Sequence, residues 1–280
     1  MNAIEIKGLC KSYKDFKIND LDLTVPGGCV VGLIGENGAG KSTTIKLILD
    51  LLKKDSGTIK VLGSDSEKEL ELVKEDIGVV SDDCCFPPEL NARKLGKIFK
   101  AIYRNWDEQK YYEYIKAFEL PEKKKVQSFS RGMKMKLSIA VALSHNAKLL
   151  VLDEATSGLD PLVRDDIIDM LRDFVTDDEH SILISSHIVS NLEKICDYIA
   201  FIHKGKLMLC EEKDKIYEQY VVIHCTEKEL SEIKPDAVMG RKVGTFGAEA
   251  IVLKTEVPDG IAGYPIDIEK LFVFMVRESG

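Results

Sequence analysis

Residues 35–43 read Gly-Glu-Asn-Gly-Ala-Gly-Lys-Ser-Thr, a GxxxxGK[ST] spacing that follows directly on the apolar run Cys29–Ile34. Gly35, Gly38 and Gly40 free the backbone to turn its N–H groups toward one centre, and a helix beginning near Ser42 adds the positive end of its dipole. A loop of this kind cradles phosphates. Lys41 reaches the outer phosphates of a nucleoside triphosphate and Ser42 offers a hydroxyl to Mg2+, while Glu36, Asn37, Ala39 and Thr43 complete the wrap.

A second chemical group closes the apolar stretch Leu149–Leu152, where Asp153 and Glu154 stand side by side. Strand ends in a parallel sheet project side chains into the crevice beside a phosphate loop. Asp153 is therefore positioned to hold Mg2+, directly or through water, and Glu154 to take a proton from an attacking water. Ser128–Met133 precedes a helix with Leu137, Ala140, Val141 and Ser144 on one face. That places Ser130 and the Gly132 N–H at a helix N-terminus, an anion site.

The elements that must position these residues read as an α/β chain. Ile4–Ile6 and Leu21–Val25 alternate like antiparallel strands, and Pro26–Gly28 turns into the loop strand. The post-loop helix spans Ser42–Leu52 with Ile45, Ile48, Leu49 and Leu52 on one face; strands follow at Thr58–Leu62 and Ile77–Val80. From about residue 88 to 146 the pattern is helix after helix. Leu95, Ile98, Phe99 and Ile102 form one predicted core stripe, and Tyr111, Ile115 and Phe118 a second behind an Asp107 cap. The spacing of Tyr103, Trp106, Tyr111 and Tyr112 fits core packing better than a base-stacking platform. The α/β alternation then resumes with a strand at Leu149–Leu152, a helix at Leu162–Val175, a strand at Ser181–Ile184, a helix at Ile188–Cys196 and a hairpin at Tyr198–Cys210 around Lys204-Gly205. Beyond residue 212 the composition shifts to a small α+β unit. Its last helix starts near Pro265 and carries Ile268, Leu271, Phe272 and Met275 on one side, while Phe272–Val276 is apolar nearly all round and calls for burial on both faces by a partner or by tight folding. The expected domains are thus 1–212, with a helical subdomain at about 88–146, and 213–280.

Composition narrows the partners. The 39 basic and 47 acidic residues give a net charge of −8, which argues against nucleic-acid binding through phosphate neutralisation; Lys123–Lys125 reads as a solvated loop. Seven cysteines without CxxC spacing read as reduced thiols, and the adjacent pair Cys84-Cys85 is assigned no function. No secretory leader is visible and no apolar run approaches the roughly 20 residues that span a bilayer. Any membrane role has to be borrowed from a partner.

Together these motifs resemble the ABC ATPases. Phe129-Ser-Arg-Gly-Met133 is similar to the family signature LSGGQ, Ser157–Asp160 to its D-loop, His187 to its switch histidine and Tyr13 to its adenine-stacking aromatic, in family order over residues 1–210. Two motifs depart from the pattern: in the signature Arg131 and Met133 replace Gly and Gln, and in the Q-loop Asp82 falls where the glutamine is expected. The resemblance implies a P-loop NTPase core, a mostly parallel sheet with an antiparallel β edge, an inserted helical subdomain and a small C-terminal α+β domain. It implies ATP and Mg2+ as cofactors, with catalysis by Glu154, His187 and Lys41 and metal ligation by Ser42, Asp153 and Asp82. Nucleotide contacts come from Tyr13 and residues 35–43 on one side and from Ser130, Gly132 and Asp160 across a head-to-tail pairing with a second ABC ATPase subunit, identical or related. It further implies hydrolysis coupled to a separately encoded transmembrane permease at the cytoplasmic face of the membrane, on a chain similar to drug and peptide-antibiotic exporters. The competing class is a soluble ABC ATPase without a permease; two-domain ribosomal members and coiled-coil repair members differ from this chain in organisation.

Overall fold

The pattern of alternate burial along Val30–Ile34 organises the molecule. Every residue of this strand is buried, with Val30 and Ile34 facing one hydrophobic core and Val31 and Leu33 the other. A strand with apolar groups on both faces belongs inside a layered α/β sheet. A computed structural model describes residues 1–82, 85–245 and 247–278; Cys84, and with it the Cys84-Cys85 pair, lies outside them.

In chain order the elements are β1 (Asn2–Ser12), β2 (Lys17–Pro26), β3 (Val30–Ile34), α1 (Lys41–Ile48), β4 (Ser56–Val61), β5 (Ser64–Asp65), α2 (Leu70–Val73) and β6 (Ile77–Val80). The helical segment supplies α3 (Ala92–Ile102), α4 (Glu108–Ala117) and α5 (Arg131–Leu143), followed by β7 (Leu149–Asp153), α6 (Pro161–Phe174), β8 (Ser181–Ser186), α7 (Val189–Glu193), β9 (Tyr198–His203) and β10 (Lys206–Glu212). The C-terminal part comprises α8 (Lys213–Gln219), β11 (Tyr220–Cys225), α9 (Glu227–Glu232), β12 (Val238–Gly244), β13 (Gly247–Leu253), β14 (Gly263–Tyr264) and α10 (Ile268–Glu278).

The central sheet has the order β10-β9-β3-β8-β7-β6; its members run parallel except β10, which pairs antiparallel with β9 at the edge. The N-terminal antiparallel strands form a sheet of their own, β2-β1-β4-β5, packed across α1. The β9–β10 hairpin turns at Lys204 and Gly205, both with positive φ (46° and 75°), the conformation a two-residue type I′ turn requires.

Several expected boundaries shift for local reasons. Helix α1 stops at Ile48 instead of Leu52, because Asp50 adopts φ 53° and the Leu51 N–H turns back to the Lys46 carbonyl at 2.8 Å, a left-handed stop that leaves Leu51 68% exposed. Helix α7 covers only Val189–Glu193, and α10 begins at Ile268, three residues after Pro265. In α3 the predicted stripe is half right. Leu95 is buried, whereas Ile98 and Ile102 are 40% and 59% exposed, and the buried face runs through Ala92, Leu95 and Gly96. Gly96 matters because the Tyr111 ring lies against it: a Cβ there would sit 2.7 Å from the ring, whose hydroxyl donates to the Ala92 carbonyl at 2.8 Å. Tyr111, Ile115 and Phe118 are all buried behind the Asp107 cap, as their spacing requires. The other aromatics pack likewise, Trp106 5.0 Å from Tyr111 and Tyr103 stacked on buried His145 at 4.0 Å.

The C-terminal sheet, β12-β13-β11-β14, encloses a small cluster of its own. Its other face belongs to the main core, where Tyr220, Val222, Ile251 and the buried side of α10 join residues of β9 and α7. Phe272 meets Phe201 of β9 with ring centroids 5.2 Å apart, and Phe274 lies against Gly240 of β12, so packing within this chain covers most of the apolar surface of α10 and leaves Val273 37% exposed. Replacing Phe272 by Ala should therefore destabilise the whole chain by about 3–5 kcal/mol, the usual cost of emptying an aromatic site in a core. Calorimetry of the variant should show one cooperative transition at lower Tm; early melting of a separate C-terminal transition, with the rest unchanged, contradicts the shared core.

Candidate functional site

The site forms where the carboxyl ends of β3, β8 and β7 meet α1. Parallel register sets it: Ile34 pairs with Ser186 and Asp153 with Ser185, so the loop after β3, the end of β8 and the two acids after β7 arrive at one level. Ligands bind at this edge of open α/β sheets because the chain leaves side chains and loop amides there without ladder partners.

The glycine-rich loop turns as its residue types allow. Gly38 and Gly40 have φ 82° and 116°, and a Cβ on Gly35 would fall 2.5 Å from the Ile202 carbonyl oxygen. Ala39 is buried against the core, while Glu36, Asn37 and Gly38 face solvent; Ser42 and Thr43 open the helix at intermediate exposure. Lys41 is 5% exposed, and its Nζ donates to the carbonyls of Gly35 at 2.7 Å and Glu36 at 3.1 Å. The same ammonium lies 3.1 Å from Glu154 Oε1.

Glu154 is the convergence point. Its Oε2 accepts from the Ser157 hydroxyl and lies 2.8 Å from His187 Nδ1. Its N–H donates at 3.0 Å to Ser185 Oγ, which in turn donates to Asp153 Oδ1 at 2.6 Å. Burial by itself would raise the Glu154 carboxyl; hydrogen bonds from Ser157, His187 and Lys41, with the Lys41 charge, outweigh it and hold the group below the ordinary carboxylate range. Glu154 also adopts φ 52°, a left-handed backbone that a glutamate enters only under constraint and that clusters at working sites.

The structure thus brings Lys41, Glu154 and His187 together and sets Asp153 beside them. Helix α1 packs against β7, which puts the Ser42 hydroxyl and the Asp153 carboxylate on neighbouring elements; hard oxygen donors of this kind fit Mg2+. Asp82, the third expected metal ligand, is committed elsewhere: its carboxylate pairs directly with Arg131. A carboxylate already neutralised by a guanidinium does not serve as a free metal ligand in this arrangement.

Ser130 caps α5 by accepting from the Met133 N–H at 3.2 Å, and Gly132 packs against Val163. Asp160 caps α6, accepting from the Leu162 N–H at 3.0 Å. Both caps are exposed. Tyr13 sits in the β1–β2 turn, 45% exposed, with Lys11 Nζ 5.7 Å from its ring; the same turn carries Phe16 against Gly40 of the loop. Sequence reasoning missed Ser185, and it named Ser157 only as the start of the D-loop without its bond to Glu154; these two serines hold the two acids. The signal for Ser185 was a small polar residue ending an apolar strand, legible only once its register with Asp153 is known.

Comparison with known proteins agrees with this geometry. A family model described as ABC transporter matches residues 18–157, half of the chain. The ABC transporter ATP-binding protein YtrB of Bacillus subtilis is 32% identical over 96% of this chain and 97% of its own length. The bacitracin transport ATP-binding protein BcrA of Bacillus licheniformis is 36% identical over 73% of this chain and 68% of its own length. A solved ATP-binding subunit of an ABC transporter superposes with a TM-score of 0.70 at 28% identity, covering 77% of this chain and 92% of that one. This chain belongs to the ABC transporter family, as one of its ATP-binding proteins.

Proposed function

We propose that this protein is the ATP-hydrolysing subunit of an exporter and drives a separately encoded permease through nucleotide-dependent pairing of two such subunits. The observation that carries the reading is the buried Lys41 ammonium, held by two loop carbonyls and Glu154 in the space where a triphosphate would bring its own oxygens. Phosphate oxygens replace those contacts and release Glu154 to orient water for in-line attack. His187 steadies that carboxylate, and Lys41 offsets the charge that develops on the transferred group. Mg2+, held by Ser42 and Asp153, would supply further neutralisation of phosphate charge.

Exposed Ser130 and Asp160 and the α5 N-terminus find their ligand in a second subunit, a copy of this chain or a relative, paired head to tail. ATP then acts as the bridge, and its hydrolysis removes the charge that closes the pair. Among the described residues no helix is long and apolar enough to cross a membrane, so attachment to the cytoplasmic face runs through the permease. A cleft of about 540 Å3 suits that contact: it lies between the end of α1, β6 and the end of α3, and exposes Leu51, Val79 and Ile102. Apolar surface of this kind marks a docking site. The names of relatives such as BcrA support antibiotic-type cargo.

Glu154→Gln should bind ATP with near-normal affinity while kcat falls about 100-fold or more, the usual loss of a general base, and the ATP-bound pair should become long-lived; turnover at the normal rate removes Glu154 from the mechanism. For the shared site, Lys41→Ala and Ser130→Ala chains are expected to be inactive alone and to regain part of the activity when mixed, since half of the mixed sites are intact. Absence of any recovery in that assay argues against head-to-tail pairing. Leu51→Asp with Ile102→Asp should reduce co-purification with the permease about tenfold at unchanged melting temperature, and undiminished recovery would move the docking surface elsewhere.

A further inference from the structure

Arg131 occupies an electrostatically awkward place. It is the first residue of α5, whose first turn contains no acidic side chain, so a cation stands at the positive end of the helix dipole. The compensating anion comes from Asp82, two residues beyond β6, whose carboxylate contacts the guanidinium directly. The guanidinium also lies over the loop between Glu154 and Asp160: a Cβ on Gly158 would come within 2.7 Å of Arg131 Nη1. The Arg131 side chain is 51% exposed and that of Asp82 49%. An ion pair so open to water contributes little to stability and yields readily to a stronger anion.

The two members of this pair are also two of the positions where the sequence departs from its family pattern. Arg131 stands between Ser130 and Gly132, the residues assigned above to the second subunit's nucleotide. A guanidinium there presents a planar fork that matches phosphate geometry better than that of a single carboxylate oxygen. We propose that Arg131 is a further ligand for the terminal phosphate bound at the partner subunit's glycine-rich loop, and that Asp82 occupies it in the single chain as an internal stand-in for that phosphate. Closure of the pair then exchanges a weak contact within one chain for a charge-assisted contact between chains. The inference rests on the head-to-tail reading, with a second copy of this chain as partner.

The exchange predicts opposite signs for the two halves of one ion pair. In the full-length chain carrying Glu154→Gln, the ATP concentration for half-maximal dimer formation is read by light scattering, so that turnover plays no part. Arg131→Gln should raise that concentration about tenfold, the loss expected for one charge-assisted hydrogen bond, and Arg131→Lys should recover part of it. Asp82→Asn should lower it severalfold by removing the competitor. The double variant should match Arg131→Gln alone, because without the guanidinium Asp82 has nothing to withhold. Affinity of the single chain for a fluorescent ADP analogue reports on folding of the near half-site and should stay within twofold throughout. If both single variants weaken the dimer, or neither shifts it, the pair is merely structural and the proposal fails while the head-to-tail reading stands. If the Glu154→Gln parent forms no dimer with ATP, the reading fails and takes the proposal with it.

Discussion

A lysine ammonium at 5% exposure must be surrounded by oxygen, and the active edge of this protein is organised around that demand. Two backbone carbonyls meet Lys41 because the glycine-rich loop turns them inward, and Glu154 meets it because β7 ends at the same level as β3. The set is complete without nucleotide, which keeps the empty site from carrying an unpaired buried charge. It is also replaceable. A triphosphate supplies more oxygens and more negative charge than one glutamate, and in the mechanism proposed above it would displace Glu154 toward the attacking water. On that proposal the resting ion pair and the working geometry are two uses of the same carboxylate.

That carboxylate is held by small hydroxyls. Ser185 receives the Glu154 N–H and gives its own proton to Asp153, while Ser157 donates to Glu154 from the following turn. Such links fix backbone direction without adding charge, and they sustain the left-handed φ of Glu154. The lowered Glu154 carboxyl follows from the same contacts. Because its folded-state pKa lies below the unfolded value, the stability these contacts provide is present above the unfolded pKa and is lost as pH falls through the folded one.

Much of this was legible in the sequence because it depends on spacing along the chain. Gly35–Thr43, the apolar strand before Asp153-Glu154, the Asp107 and Ser130 caps and the Lys204-Gly205 turn are local signals, and each stands where its residues place it. What stayed hidden depends on distance between segments. Ser185 gains its role only from register with Asp153; Asp82 and Arg131 meet through the fold and not through any motif. The stripe Leu95–Ile102 misled because apolar spacing reports an amphipathic face without saying what covers it: the side of α3 bearing Ala92 and Gly96 admits the Tyr111 ring, and Ile98 and Ile102 are left outside.

The position of the last helix has a consequence for how the parts move. Because α10 inserts Phe272 against Phe201, and β9 lies beside β3 in the central sheet, the C-terminal unit rests on the strand next to the one that feeds the nucleotide loop. His203, at the end of β9, lies 3.5 Å from Glu36 of that loop. A densely packed interior transmits displacement instead of absorbing it. The strand that feeds the nucleotide loop and the strand that seats the C-terminal unit are thus neighbours in one packed core, and the helical segment shares that core through Leu95, Tyr111 and Leu137, buried with Ile34, Val80 and Leu150.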